Sequence, residues 1–321
     1  MFKTFSKKIY DKIYAVRENG KPFLKYFSVN DYKGLLTDDF SIKSSDNETI
    51  NGKYIYKENY RKNCLIVFVH GMGAGYQAYM QEINYLASNN FKVLAYDAVG
   101  TCSSTGDSTK GFLENISNLD DVLNYLENDE KFKNIDIYLI GHSLGGYSVG
   151  AVLNLHKNIK KAIILSGPIS VSDAFKQHIP SKIVAKNFIK FEKTKYSKYF
   201  NLNVLDGINN SKTEVALFYS TNDPMVNFEK NFNYLKLNVK RNDVLFYEVE
   251  NRGHNPTYTQ ESSKKLSNLL KKLQKISSLK DKINYTKDLD FKQFCELDEE
   301  VMHEIIEFFE KESFVIDSYT F

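Results

Sequence analysis

The chain has 321 residues, 42% hydrophobic and 26% charged, a mixture that excludes a disordered polar polymer and is long enough to bury a sizeable core. Its 43 Lys and Arg against 40 Asp and Glu leave a formal net charge of +3, which gives no reason to expect a nucleic-acid partner. Cys64, Cys102 and Cys295 are scattered and form no CxxC pair, so neither a disulfide framework nor a zinc site is suggested, and no metal or other cofactor is expected.

The amino terminus leads into no apolar signal core, and no run approaches the roughly 18 apolar residues of a membrane span. A soluble cytoplasmic protein is expected. Phe2, Phe5, Ile9 and Ile13 recur at helical spacing among Lys3, Lys7, Lys8 and Lys12. The spacing predicts a terminal helix docked on the domain with a solvated basic face, inside an N-terminal extension over residues 1–38. Peripheral membrane contact is the competing reading of such a helix.

Residues 39–278 read as the main domain. Phe40 to Lys43 and Lys53 to Tyr56 alternate polar and apolar residues around Asp46-Asn47-Glu48, the pattern of an edge hairpin. Short continuous apolar runs follow at 64–69, 91–96, 135–140, 162–165, 215–219 and 244–249. Such runs suit parallel strands buried on both faces. Helix-length segments lie between them, at about 77–89, 112–128, 144–157 and 226–236. The alternation predicts an α/β fold with a mostly parallel, doubly wound sheet flanked by helices. The rhythm breaks after Leu165-Ser166-Gly167-Pro168. The long stretch that follows holds Val184, Phe188 and Phe191 at helical spacing among Lys182, Lys186, Lys190, Lys193 and Lys195. It predicts a small helical cap inserted over the sheet, about residues 168–212. Residues 279–321 read as a C-terminal helical extension packed on the core. In it Asp298 is a plausible N-cap, and Val301, Ile305, Phe308 and Phe309 form one apolar face.

The chemistry concentrates at Gly141-His142-Ser143-Leu144-Gly145, a Gly-x-Ser-x-Gly turn between a strand and a helix. That context makes it a nucleophile elbow, with Ser143 raised at the carboxyl edge of the sheet beside a helix amino terminus. A serine hydroxyl needs a base to remove its proton. His254, just after the last strand, is the candidate. Asp223, after the preceding strand, is the candidate carboxylate that orients the histidine. The chain order Ser143, Asp223, His254 is the order this fold uses. His70-Gly71-Met72-Gly73 follows the 64–69 strand, and its small residues let backbone approach a ligand. The backbone N–H groups of Met72 and Leu144 are therefore the expected oxyanion donors. His70 reads as an anchor of that loop, and Gly71 and His142 as substrate-binding positions. Asp97 reads as the residue that shapes the loop Asp97-Ala98-Val99-Gly100.

His70-Gly71-Met72-Gly73, Asp97 to Ser104, Gly141 to Gly146, Asp223 and Gly253-His254 together resemble the serine α/β-hydrolases of the monoacylglycerol lipase, lysophospholipase and serine aminopeptidase branch. The resemblance covers residues from about 40 to 275. It implies hydrolysis of esters, less often amides, through a covalent acyl-enzyme and without a metal. It also implies that Ser143, His254 and Asp223 form the triad and that Met72 and Leu144 supply the oxyanion hole. The loop Asp97-Ala98-Val99-Gly100-Thr101-Cys102-Ser103-Ser104 departs from the family's Asp-x-x-Gly-x-Gly-x-Ser. The expected substrate is a small-molecule acyl ester or a lipid. Serine aminopeptidase and thioesterase activities would use the same triad, and a non-catalytic ligand-binding relative is the alternative of another class.

Overall fold

The computed structural model describes residues 2–311, and of Phe2 only the backbone. The last ten residues of the C-terminal extension, and Met1, lie outside the described residues. An eight-stranded sheet forms the centre: β1 (Leu36–Lys43), β2 (Thr49–Tyr56), β3 (Cys64–Val69), β4 (Val93–Tyr96), β5 (Asp136–His142), β6 (Ile159–Leu165), β7 (Glu214–Ser220) and β8 (Leu245–Val249). Their order across the sheet is β1-β2-β4-β3-β5-β6-β7-β8. The β1–β2 hairpin and the β2–β4 pair are antiparallel, and every later pair is parallel.

The continuous apolar runs form the inner strands because they must satisfy two faces at once. In β3, Leu65, Val67 and Val69 enter one core, and Cys64, Ile66 and Phe68 enter the other. Between strands lie α2 (Met80–Ser88), α3 (Glu114–Asn128) and α4 (Leu144–Val152), preceded in the chain by the N-terminal helix α1 (Phe2–Tyr14). Helix α4 stops earlier than the apolar pattern suggests. The Asn154 side chain donates to the carbonyl of Ala151 at 2.9 Å, and His156 is buried against Asp120 at 2.8 Å, which turns the chain toward β6. The segment expected as one helix at 226–236 is a π-turn over Glu229–Asn233 followed by α8 (Tyr234–Asn238), numbered after the cap helices.

The cap comprises α5 (Val171–His178), α6 (Lys182–Lys195) and α7 (Val204–Asn210). In α6, Phe188 is buried while the five lysines face solvent. Helix α1 packs on α6, but not on the expected stripe. Phe5 and Ile13 are exposed, and Ser6, Tyr10 and Tyr14 are buried instead. The tyrosines win the interface because their rings meet Phe188, Phe175 and Phe112 edge-on or tilted, and Tyr10 also finds a hydrogen-bond acceptor.

After β8 come α9 (Gln260–Lys275), α10 (Leu279–Thr286) and α11 (Glu299–Glu310). Asp298 caps α11, and Met302, Ile305, Phe308 and Phe309 pack on the sheet, with Phe309 stacked 5.5 Å from Tyr138. Lys161 of β6 is buried, and its Nζ donates to the carbonyls of Phe308, at 2.8 Å, and Lys311. It thereby caps carbonyls that the end of α11 leaves unpaired. Among the described residues, no helix is long and apolar enough to cross a membrane.

Candidate active site

Four segments meet at the carboxyl edge of the sheet: the turn after β5, the loop after β3, and the loops after β7 and β8. Ser143 sits in the first with φ 56° and ψ −118°, an uncommon conformation for a residue with a side chain. Such geometry costs on the order of 1–3 kcal/mol and persists only where its surroundings enforce it. Here the enforcement is steric. A Cβ on Gly141 would stand 2.4 Å from the carbonyl oxygen of Gly145, and one on Gly145 would stand 2.0 Å from that of Val69. The two glycines let β5, α4 and β3 close up, and the sharp turn lifts Ser143 out of the packed backbone.

His254 Nε2 lies 2.8 Å from Ser143 Oγ, and its Nδ1 lies 2.8 Å from Asp223 Oδ2. A carboxylate only accepts, so Nδ1 carries the proton and Nε2 offers its lone pair to the hydroxyl. The Asp223 side chain is 1% exposed. Its other oxygen accepts from the N–H groups of Met225 and Val226, at 2.7 and 3.0 Å. One carboxylate therefore makes the turn before Pro224 and also holds the histidine. Asn222 accepts from the N–H of Gly253 at 2.8 Å, which stitches the aspartate's loop to the histidine's.

Opposite them, His70 fixes the loop after β3. Its Nε2 accepts from the N–H of Ala98 at 2.9 Å, and its Nδ1 donates to the carbonyl of Gly71 at 2.6 Å. Burial holds its pKa down, so the ring stays neutral and keeps one N–H and one lone pair. In a trans peptide the N–H points away from the C=O. Holding the Gly71 carbonyl therefore aims the Met72 N–H the opposite way. Leu144 is the first residue of α4, where an N–H has no partner within the helix. Asp97 accepts from the N–H of Tyr76 and from the N–H and hydroxyl of Ser103, so it shapes its own loop rather than holding a histidine.

A pocket opens beside these donors. Gly71, Met72, Val99 and Leu144 line it, and so do Ile13, Tyr14 and Glu18. The contribution from the N-terminal segment was not expected from the sequence. No local motif marks it, because the segment reaches the site through pairing with distant loops: Glu18 bridges Thr101, and the N–H of Gly20 donates to the carbonyl of Gly73 at 3.0 Å. His142, expected to touch substrate, lies elsewhere. It is buried, with Nε2 2.7 Å from the carbonyl of His254 and Nδ1 3.0 Å from the Tyr79 hydroxyl. Both its ring nitrogens are already engaged by the protein. His178, at the end of α5, also lies near the base. Burial lowers its pKa, and so does the proximity of His254. Among the described residues, no group of three or more His, Cys, Asp or Glu is arranged to hold a metal ion.

The family model described as serine aminopeptidase, S33, matches residues 61–201. A probable 1-acylglycerol-3-phosphate O-acyltransferase of Oryza sativa is 31% identical over 117 residues, 33% of this chain. The chain spans only 26% of that relative's length. Among solved structures, an esterase of Pyrococcus furiosus superposes with a TM-score of 0.58 at 21% identity, covering 80% of this chain and 98% of its own. A Butyrivibrio proteoclasticus protein with ferulic acid bound gives 0.56 at 16% identity, over 73% and 98%. The acylaminoacyl peptidase of Pyrococcus horikoshii gives 0.51 at 20% identity, over 69% and 38%. Likeness at these identities establishes the fold: the sheet, its helices and the crossing order are those of the α/β hydrolases.

Proposed function

We propose that this chain, which has the fold of the α/β hydrolases, cleaves carboxylic esters through an acyl-enzyme formed on Ser143. The observation that carries the proposal is the unbroken line from Asp223 through His254 to Ser143, two contacts of 2.8 Å ending on a strained elbow. His254 takes the hydroxyl proton as Ser143 Oγ bonds to the acyl carbon. Asp223 stabilises the imidazolium that results. The carbonyl oxygen gains a negative charge, which the Met72 and Leu144 N–H groups stabilise. Collapse of that intermediate breaks the ester C–O bond, and His254 gives its proton to the departing alcohol. Water, deprotonated by His254, then attacks the acyl carbon and frees the acid.

The apolar wall of Ile13, Tyr14, Val99 and Leu144 supports an acyl group as the occupant, as in esterases, lysophospholipases and monoacylglycerol lipases. The same triad can serve an aminopeptidase or a thioesterase, or persist in a binder. An aminopeptidase needs carboxylates free to hold the substrate amine, and the cap acids Asp173 and Glu192 are committed within the protein. Asp173 bonds to Ser170 at the start of α5, and Glu192 is buried among donors from the protein itself. Cys64, Cys102 and Cys295 are free thiols, which fits a reducing compartment such as the cytoplasm.

The test is turnover of p-nitrophenyl butyrate, beside aminoacyl-naphthylamide and thioester substrates, by wild type and Ser143→Ala. The variant is expected to lose several orders of magnitude in kcat and all covalent labelling by a fluorophosphonate. Activity near wild type in Ser143→Ala would overturn the proposal, and labelling without turnover of any ester would favour a binder.

A further inference from the structure

We infer that Tyr79 and His142 are positioning residues that tie the oxyanion loop to the main chain of His254; the inference rests on the esterase reading above. His142 Nε2 is 2.7 Å from the carbonyl oxygen of His254. A carbonyl can only accept, so Nε2 carries the proton. Burial, reinforced by the neighbouring His254, pushes the His142 pKa down to about 3, so the ring is neutral and Nδ1 is a bare acceptor. The Tyr79 hydroxyl, 3.0 Å from that nitrogen, must then donate to it. The same hydroxyl oxygen accepts the N–H of Gly71 at 3.1 Å.

Each bond in the series fixes the direction of the next. The N–H of Gly71 points to Tyr79, the hydroxyl of Tyr79 to His142, and the N–H of His142 to the carbonyl of His254. The series starts one residue before the oxyanion donor Met72 and ends on the residue that holds the base. It joins the loop after β3 to the loop after β8, which are otherwise separate segments with β5, β6 and β7 between them. The ring of His142 also lies 4.7 Å from the ring of His254, tilted by 54°, so it backs the base on one side. The base and the oxyanion donors must act on the same acyl group, and a misplacement of about 1 Å can cost about 100-fold in rate. A bond series of fixed direction between them holds that spacing. Tyr79 and His142 touch no reacting atom in this scheme.

The experiment compares Tyr79→Phe, His142→Gln and His142→Leu on p-nitrophenyl butyrate, with thermal unfolding and a Ser143→Ala control run alongside. Tyr79→Phe and His142→Leu are expected to lower kcat about 10-fold or more, with KM changed by less than about twofold. The amide of His142→Gln can accept from Tyr79 and donate to His254, so this variant is expected to stay within about threefold of wild type. Adding Tyr79→Phe to His142→Leu should cost nothing further, because one series is already broken. Nitrogen NMR should show His142 as the neutral Nε2–H form throughout pH 5–8. Wild-type kcat in folded Tyr79→Phe overturns the inference while leaving the esterase reading intact. So does equal loss in the Gln and Leu variants, with KM rising in step. Should His142→Leu fail to fold, Tyr79→Phe and His142→Gln decide the matter. An active Ser143→Ala would overturn both.

Discussion

Glu192 of the cap helix accepts a hydrogen bond from the hydroxyl of Tyr10 in the N-terminal helix while also accepting the backbone N–H groups of Phe112, at 2.7 Å, and Leu113, at 3.1 Å. One buried carboxylate thus joins α1, α6 and the segment leading into α3. Burial raises its pKa, and the three hydrogen-bond donors, together with the charge of Lys195, work against that rise. Glu192→Ala leaves two backbone donors and a phenol buried without partners. It is expected to lower unfolding stability by about 3 kcal/mol or more, whereas Tyr10→Phe, which removes one bond, should cost about 1 kcal/mol. Urea unfolding of the two variants checks the ordering.

Filling the proposed acyl pocket from the N-terminal side should change selectivity rather than chemistry. Ile13 is 38% exposed and lines the pocket, so Ile13→Trp can be accommodated without disturbing the core. The kcat/KM for p-nitrophenyl octanoate is expected to fall about 10-fold more than that for the acetate. Equal effects on both esters would place the acyl chain elsewhere.

Stability should decline in mild acid because His142 is buried neutral. The unfolded histidine titrates near 6.5, and the folded one near 3. Between those values the unfolded chain binds more protons, so stability is full above about pH 6.5 and is lost as pH falls toward 3. At about 1.4 kcal/mol for each pKa unit, the loss by pH 4 is on the order of 3 kcal/mol. His70, also shifted down by burial, acts in the same sense. Urea midpoints at pH 4, 5, 6 and 7.5 should show the slope, and His142→Gln should flatten it.

Glu82 has the opposite sign. It is buried in α2, accepts from Thr257 at 2.9 Å through one oxygen, and has no partner for the other. Burial pushes its pKa up to about 7. The folded state holds this proton where the unfolded state has released it, so the contribution is full below about pH 4.5 and is lost as pH rises through 7. Glu82→Gln keeps the acceptor for Thr257 and removes the charge. The variant is expected to melt with wild type at pH 5 and several degrees above it at pH 8. Coincident melts at pH 8 would refute the assignment.

The sheet was legible in the sequence because its strands are uniform apolar runs, a pattern that two-sided burial requires. The elbow was legible because Gly141 and Gly145 answer a local steric demand. Asp223 and His254 could be placed from chain order, since a carboxyl-edge loop follows every parallel strand. What escaped depends on distant partners. Tyr79 shows no periodic signal, and its role appears only when Gly71 and His142 arrive from other segments. His142 occupies a motif position that suggests ligand contact, yet its flanking elements turn the ring inward. The exposed Phe5 and buried Tyr10 reverse a hydrophobicity ranking, because a tyrosine can satisfy its hydroxyl while its ring packs.

Lys161 clasps the end of α11 about four residues upstream, along the parallel strands, from the level of His142, or about 13 Å at the usual rise. The carboxyl end of α11 is therefore anchored far from Ser143, while its amino end is not: Arg252, two residues before His254, bonds to Asp298, the N-cap of α11. For a protein engineer, selections for heat resistance can work at the Lys161 clasp at a distance from the elbow, whereas libraries in the loop after β8 must keep the Arg252–Asp298 pair to hold a constant thermal background.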